Sequence, residues 1–178
     1  MGRSRYKFHE EYYPYFITST IVHGLPLFMD ARISNIILDA LTYAQDVNKV
    51  VLHGYVIMPN HIHLVVEGEQ LSARLRAFKS YTARSIINYL KANNKTRTLS
   101  HLKSGKLDNH KDSEFQVWQE GFHPKQISTS KMMEQKINYI HHNPVKSGFV
   151  ESPLHWRYSS ALNYEGDDGV IPVTLFNG

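Results

Sequence analysis

The 178-residue chain has no cysteine. Disulfides, thiolate metal sites and cysteine nucleophiles are therefore all excluded, and a reducing, cytoplasmic setting fits. No apolar run approaches the roughly 20 residues that a membrane span needs. The opening "MGRSRYKFHEEYYPYF" has no apolar h-region, so no secretory signal is expected. Tyr6 stands where the myristoylation pattern wants Ser or Thr. Acidic residues are absent from one long stretch: Leu71 to Leu107 carries nine Lys or Arg and no Asp or Glu. Such a block is either a solvated face or a polyanion-binding surface, since each neutralised phosphate releases counterions.

What remains is ordinary globular material, 42% hydrophobic and 12% aromatic, in a length that suits one domain. Residues 1–160 read as that domain and 161–178 as a peripheral C-terminal tail. Tyr12 to His23, aromatic and β-branched, predicts a strand. Ala31 to Asn48 has Ile33, Ile37, Leu41 and Ala44 at helical spacing. Val50 to Ile57 and His61 to Glu67 predict two strands joined by a tight "MPN" turn, hence an antiparallel hairpin. Ser72 to Asn93 predicts a helix with its apolar stripe at Leu75, Phe78, Thr82, Ile86 and Tyr89 and with Arg74, Arg76, Arg84 and Lys91 off it. Asn94 to Ser113 is polar and reads as a long loop. Gln116 to Ile127 suggests a strand broken at Gly121 or Pro124. Thr129 or Ser130 caps a third helix, which Pro144 is expected to end at about His142. The order β-α-β-β-α-β-α predicts an α+β sandwich, with helices on one face of an antiparallel sheet.

Two features carry chemistry. In "MPNHIHLVV", His61 and His63 sit at i and i+2 of a strand and so share a face, while Ile62 and Leu64 turn toward the helices. Imidazole suits Mn, Fe and Zn, and two histidines leave coordination positions open, which favours catalysis over structure. With eleven histidines, chance alone supplies such a pair roughly 0.7 times, so the spacing reads equally as two half-exposed strand histidines. In "SKMMEQKINYIHHNPVK", Tyr139 and Asn143 stand one helical turn apart, beside the apolar stripe of Met133, Ile137 and Ile140 and near Lys136. A Tyr there can simply pack its ring and wet its hydroxyl. If this helix lies near the histidine strand, Asn143 could add an amide oxygen ligand. Tyr139 would then place a phenol beside a Lewis acid able to align a phosphate for attack.

"MPNHIHLVV" together with "YIHHNPVKSGFV" resembles the single-tyrosine HUH transposases, most of all the REP-associated tyrosine transposases. The resemblance runs from about Arg5 to Ser160 and takes in "FKSYTAR" and "VWQEGFH". It implies a ferredoxin-like core and an endonuclease and strand transferase that uses Mg2+ or Mn2+ to nick single-stranded DNA beside a hairpin. Joining of the tyrosine to a 5′-phosphate is also implied, as are REP-like palindromes as targets and a cytoplasmic, nucleoid-associated place in DNA transposition and recombination. His61 and His63 match the metal histidines, Asn143 the third ligand and Tyr139 the nucleophile. Arg3 and Arg5 are the nearest equivalents of a basic N-terminal segment that reads DNA. Arg74, Arg76, Lys79, Arg84 and Lys91 are candidate backbone contacts, and Lys136 is a candidate phosphate or leaving-group contact. The alternatives are a non-catalytic hairpin-binding module and a water-using hydrolase with Tyr139 a bystander. Monomer and homodimer both remain open.

Overall fold

The computed structural model describes residues 13–106 and 113–177. Arg3 and Arg5 lie outside them. Strand β1 (Tyr15–Thr20) leads through short turns to helix α1 (Ala31–Asp46), then to β2 (Val51–Met58) and β3 (His61–Glu67). Next come α2 (Leu71–Ala92), α3 (Thr96–Ser104), β4 (Lys125–Gln126), α4 (Ser130–Lys146) and the single turn α5 (Ala161–Tyr164). The sheet order is β2-β3-β1-β4, and all pairings are antiparallel. β3 inserts between the two strands that α1 connects, which gives the split β-α-β arrangement of a ferredoxin-like sandwich. The expected hairpin is present: Met58 pairs with His61 across Pro59 and Asn60.

Alternation along β3 divides the molecule. Ile62, Leu64 and Val66 join Tyr15, Ile17, Leu52, Tyr55 and Ile57 under α1 and α2. Burying each such side chain stabilises the fold by about 1.5–3 kcal/mol. Val65 faces the other way, with Phe16, Val56 and Met58, and Met133, Ile137 and Ile140 of α4 cover them. The expectation that all helices lie on one face is therefore corrected, since α4 takes the opposite face. The physical reason is visible in β2 and β3, whose residues are buried on both sides, with Val56, Met58 and Val65 needing an apolar cover on the second face. A bulge between Leu52 and Gly54 keeps both faces of β2 in register. Gly54 then lies beneath α4, where a Cβ would come within 2.7 Å of Ile137 Cδ1.

Thr129 caps α4, its side chain accepting from the Met132 N–H at 3.2 Å. The helix does not stop at His142. It runs through Pro144 to Lys146, because a proline this close to the end removes a single donor and the chain leaves the helix two residues later. Phe149 N–H then donates to the Pro144 carbonyl, and Gly148 takes the left-handed conformation at φ 74°. Three further elements differ from expectation. β1 ends at Thr20, short of the expected His23, and gives way to a 3-10 turn at Val22–Gly24, while Tyr12 lies outside the described residues. The stretch expected as a long loop contains α3, anchored by the fully buried Leu102. The Gln116 to Ile127 strand is reduced to a bridge between Trp118 and Ile21 and to β4, with Gly121 at φ 70° between them.

Residues 158–174, which straddle the expected start of the tail at 161, close the open edge of β2. Ile57 N–H donates to the Tyr158 carbonyl, Ser160 N–H to Tyr55 and Thr174 N–H to Leu52, while Ile171 reaches the main core. An edge covered in this way offers no free strand to another chain. Among the described residues, no helix is long and apolar enough to cross a membrane.

Candidate active site

Because α4 crosses the face that His61 and His63 share, residues far apart in sequence meet there. The His61 and His63 rings are 4.8 Å apart between centres, and the Tyr139 ring stands 5.3 Å from His63, edge to face. Phe16 of β1 floors the group, stacked on His63 at 5.2 Å and edge-on to Tyr139 at 5.6 Å. Lys136 places its ammonium 4.5 Å from the Phe16 ring centre and 5.7 Å from that of Tyr139. Lys146 adds a second ammonium 5.7 Å from the Tyr139 ring. Positions 136, 139, 143 and 146 thus make one stripe of α4. Tyr139 is 39% exposed, so its phenol is supported from below and open from above.

The histidines are built to stay neutral. Burial, then the neighbouring His61 and Lys136, pull His63 down to about 3, and burial lowers His61 as well. Desolvation penalises the charged imidazolium, which keeps ring nitrogens available as ligands at neutral pH. His63 Nδ1 lies 2.8 Å from Thr18 Oγ1, and His61 Nδ1 lies 2.6 Å from Asn60 Oδ1. With both Nδ1 atoms engaged, Nε2 is the nitrogen each ring has left for an ion. Asn143, 9% exposed, has no side-chain hydrogen bond among the described residues. Two neutral imidazoles with Nε2 free suit a divalent ion of the Mn2+ type with open positions, and Asn143 follows Tyr139 by one turn on the same stripe of α4. No cluster of three His, Cys, Asp or Glu competes with this site among the described residues.

The residues expected to contact DNA from the basic helix are not brought here, since α2 packs on the other face of the sheet. Lys79 is committed to the fold: its ammonium donates to the Gln119 and Gly121 carbonyls at 2.8 and 2.7 Å and sits 4.8 Å from the Phe122 ring centre. Burial pulls it down to about 8, against the opposing pull of Glu120. Lys91 pairs with Glu114 at 3.9 Å and lies over Phe115. Arg76 and Arg84 are exposed, while Arg74 is half-buried with Nη1 sealed and without a hydrogen bond. Sequence reasoning missed Lys146, Thr18 and Asn60. Lys146 carried a signal, because it continues the 136-139-143 spacing. Thr18 lies on a different strand from its histidine, and only the Thr18–His63 pairing brings it there.

No family model matches the chain. Over 108 residues it is 30% identical to a Haemophilus influenzae protein provisionally named REP-associated tyrosine transposase. The match takes in 58% of this chain and 54% of that one, so the chain spans about half the length of the curated relative it matches. A solved REP-associated tyrosine transposase bound to a REP hairpin shares the fold, with a TM-score of 0.66 and 20% identity over 99% of this chain and 96% of the other. A provisionally assigned transposase of Deinococcus radiodurans R1 matches at a TM-score of 0.43 and 16% identity, over 78% of this chain and 96% of that one. The chain is thus similar in sequence, over 108 residues, to a protein provisionally named REP-associated tyrosine transposase, and over nearly its whole length it shares the fold of a solved one.

Proposed function

We propose that this protein is a divalent-metal-dependent DNA strand transferase that cuts single-stranded or hairpin DNA through a tyrosine–phosphate link. The observation that carries the reading is the crossing of α4 over the histidine face, with the Tyr139 ring 5.3 Å from His63. Held by His61, His63 and Asn143, Mg2+ or Mn2+ would supply Lewis acidity toward a phosphate oxygen. Tyr139 Oη attacks the phosphorus in line. The Oη–P bond forms and the P–O3′ bond breaks. The phenolic proton passes to solvent and the departing oxygen takes one up, leaving a free 3′-OH and a 5′-phosphate on Tyr139. Attack by another 3′-OH reverses these bond changes and rejoins the strand. Lys136 and Lys146 hold positive charge beside the phenol, where the non-bridging phosphate oxygens come to lie.

The solved REP-associated tyrosine transposase of the same fold is bound to a REP hairpin, which supports hairpin DNA as the substrate class. Arg74, Arg76, Arg84 and Lys91 on α2 are then contacts for DNA phosphates away from the reacting centre, and their loss weakens all sequences alike.

The test is incubation with labelled hairpin oligonucleotides drawn from repeats flanking the gene, with Mn2+ or EDTA, followed by a denaturing gel. A metal-dependent, SDS-stable protein–DNA band, lost in Tyr139→Phe, is expected. Cleavage that persists in Tyr139→Phe means a water-using hydrolase. Salt-sensitive binding without cleavage means a hairpin-binding module.

A further inference from the structure

Asn60 forms half of the two-residue turn between β2 and β3, and its backbone and side chain both tie that turn to the segment after β1. Its carbonyl accepts from Ile21 N–H at 2.9 Å, and the neighbouring Pro59 carbonyl accepts from Phe28 N–H at 3.0 Å. Its amide nitrogen Nδ2 donates to the Gly24 carbonyl at 3.3 Å. That carbonyl is presented by two successive left-handed residues, His23 at φ 55° and Gly24 at φ 63°. A non-glycine residue in that region is uncommon and held only by its surroundings. A Cβ on Gly24 would stand 3.4 Å from Asn60 Nδ2, an ordinary contact, so it is the left-handed φ that favours glycine there.

These contacts remove the usual ambiguity of an amide. Turned the other way, the Asn60 oxygen would face the Gly24 carbonyl oxygen, two acceptors with no proton between them. With Nδ2 on Gly24, Oδ1 is aimed at His61 Nδ1, 2.6 Å away. Oδ1 can only accept, so Nδ1 of the neutral ring carries the proton and Nε2 keeps its lone pair. The partner of His63 is different in kind, because Thr18 Oγ1 can donate or accept and so permits either tautomer. We infer that Asn60 is a positioning residue that fixes His61 as the Nδ1–H tautomer, so that Nε2 is presented to a divalent cation. Its role is to orient and prepare the imidazole, and it does not touch the ion.

This inference rests on the reading of His61 as a metal ligand, but its first readout needs no metal. In metal-free protein at pH 7.5, the 15N shifts of the His61 ring are compared by NMR for wild type, Asn60→Ala and Asn60→Asp. Wild type should show the Nδ1–H form, which Asn60→Ala should lose toward the Nε2–H form that free imidazole prefers. Asn60→Asp keeps an acceptor for Nδ1 and should restore the tautomer, although it loses the donor to Gly24 just as alanine does. A purely structural role predicts that both variants behave alike. The second readout is Mn2+ affinity by calorimetry, expected to fall about 10- to 100-fold in Asn60→Ala and to recover in Asn60→Asp. Retention of the Nδ1–H form in a folded Asn60→Ala overturns the inference, as does unchanged Mn2+ affinity in that variant. If wild type binds no Mn2+ while the tautomers follow the pattern above, the orienting role stands and the metal-site reading fails.

Discussion

The two faces of one sheet do different work with residues that alternate along the same strand. On the α1–α2 face β3 contributes Ile62, Leu64 and Val66 to a continuous apolar core. On the α4 face the same strand contributes His61, His63 and Val65, and the apolar cover is smaller. The larger core holds the strand rigidly enough to present the two imidazoles at a fixed spacing. The smaller one leaves Tyr139 partly open. Stability and chemistry are separated by the two-residue period of a strand, and substitutions on the two sides should separate in the same way.

Truncation on the core face gives the largest change. Leu64→Ala should destabilise by about 2–5 kcal/mol in urea unfolding, because the side chain is 1% exposed and its neighbours cannot collapse into the space. Acid comes next and acts on the α4 face. His63 and the buried His141, which burial and then His142 pull down to about 4, must both stay neutral when folded. Each binds a proton more readily when unfolded, with an ordinary value of 6.5, so stability is present above pH 6.5 and is lost as pH falls toward the folded values. Between pH 7 and 5 the loss should be about 2 kcal/mol per histidine, and His141→Asn should flatten that slope. A slope unchanged in His141→Asn would mean that the acid sensitivity lies elsewhere.

Smaller effects sharpen the contrast. Thr129→Ala removes the cap of α4 and should cost about 1 kcal/mol, with the loss confined to the helix that carries the site. Tyr139→Phe, which removes one partly exposed hydroxyl, should leave thermal unfolding within about 0.5 kcal/mol of wild type. A stability change as large as that of Leu64→Ala would show that Tyr139 is a core residue, and the comparison of the two faces would collapse.

Much of this division is legible in the sequence. The Met58–His61 turn, the i, i+2 histidines and the i, i+4 Tyr139–Asn143 pair follow from local periodicity, and the structure keeps all three. The side of the sheet that each helix takes is set by tertiary packing. Nothing in α2 reveals that its basic residues lie opposite the histidines, although the unbroken "LVV" of β3 signals a sheet buried on both faces. The helix α3 escapes notice because it has no side-chain cap, a polar composition and one fully buried anchor, Leu102. Pro144 misleads because the rule for helix interiors is weaker in a last turn. Asn60 looks like an ordinary turn residue and is one. Its second contact, with Gly24, spans 36 residues and has no local signature.

The central claim is that α4 brings a nucleophilic tyrosine to the histidine face. The most direct test is mass spectrometry of the covalent product after reaction with hairpin DNA and Mn2+, nuclease trimming and trypsin digestion. Cleavage after Lys136 and Lys146 releases Ile137–Lys146, a peptide whose single tyrosine is Tyr139. The account predicts a phosphonucleotide on that peptide, absent with EDTA. A phosphonucleotide on any other peptide, or cut DNA with an unmodified Ile137–Lys146, would contradict it.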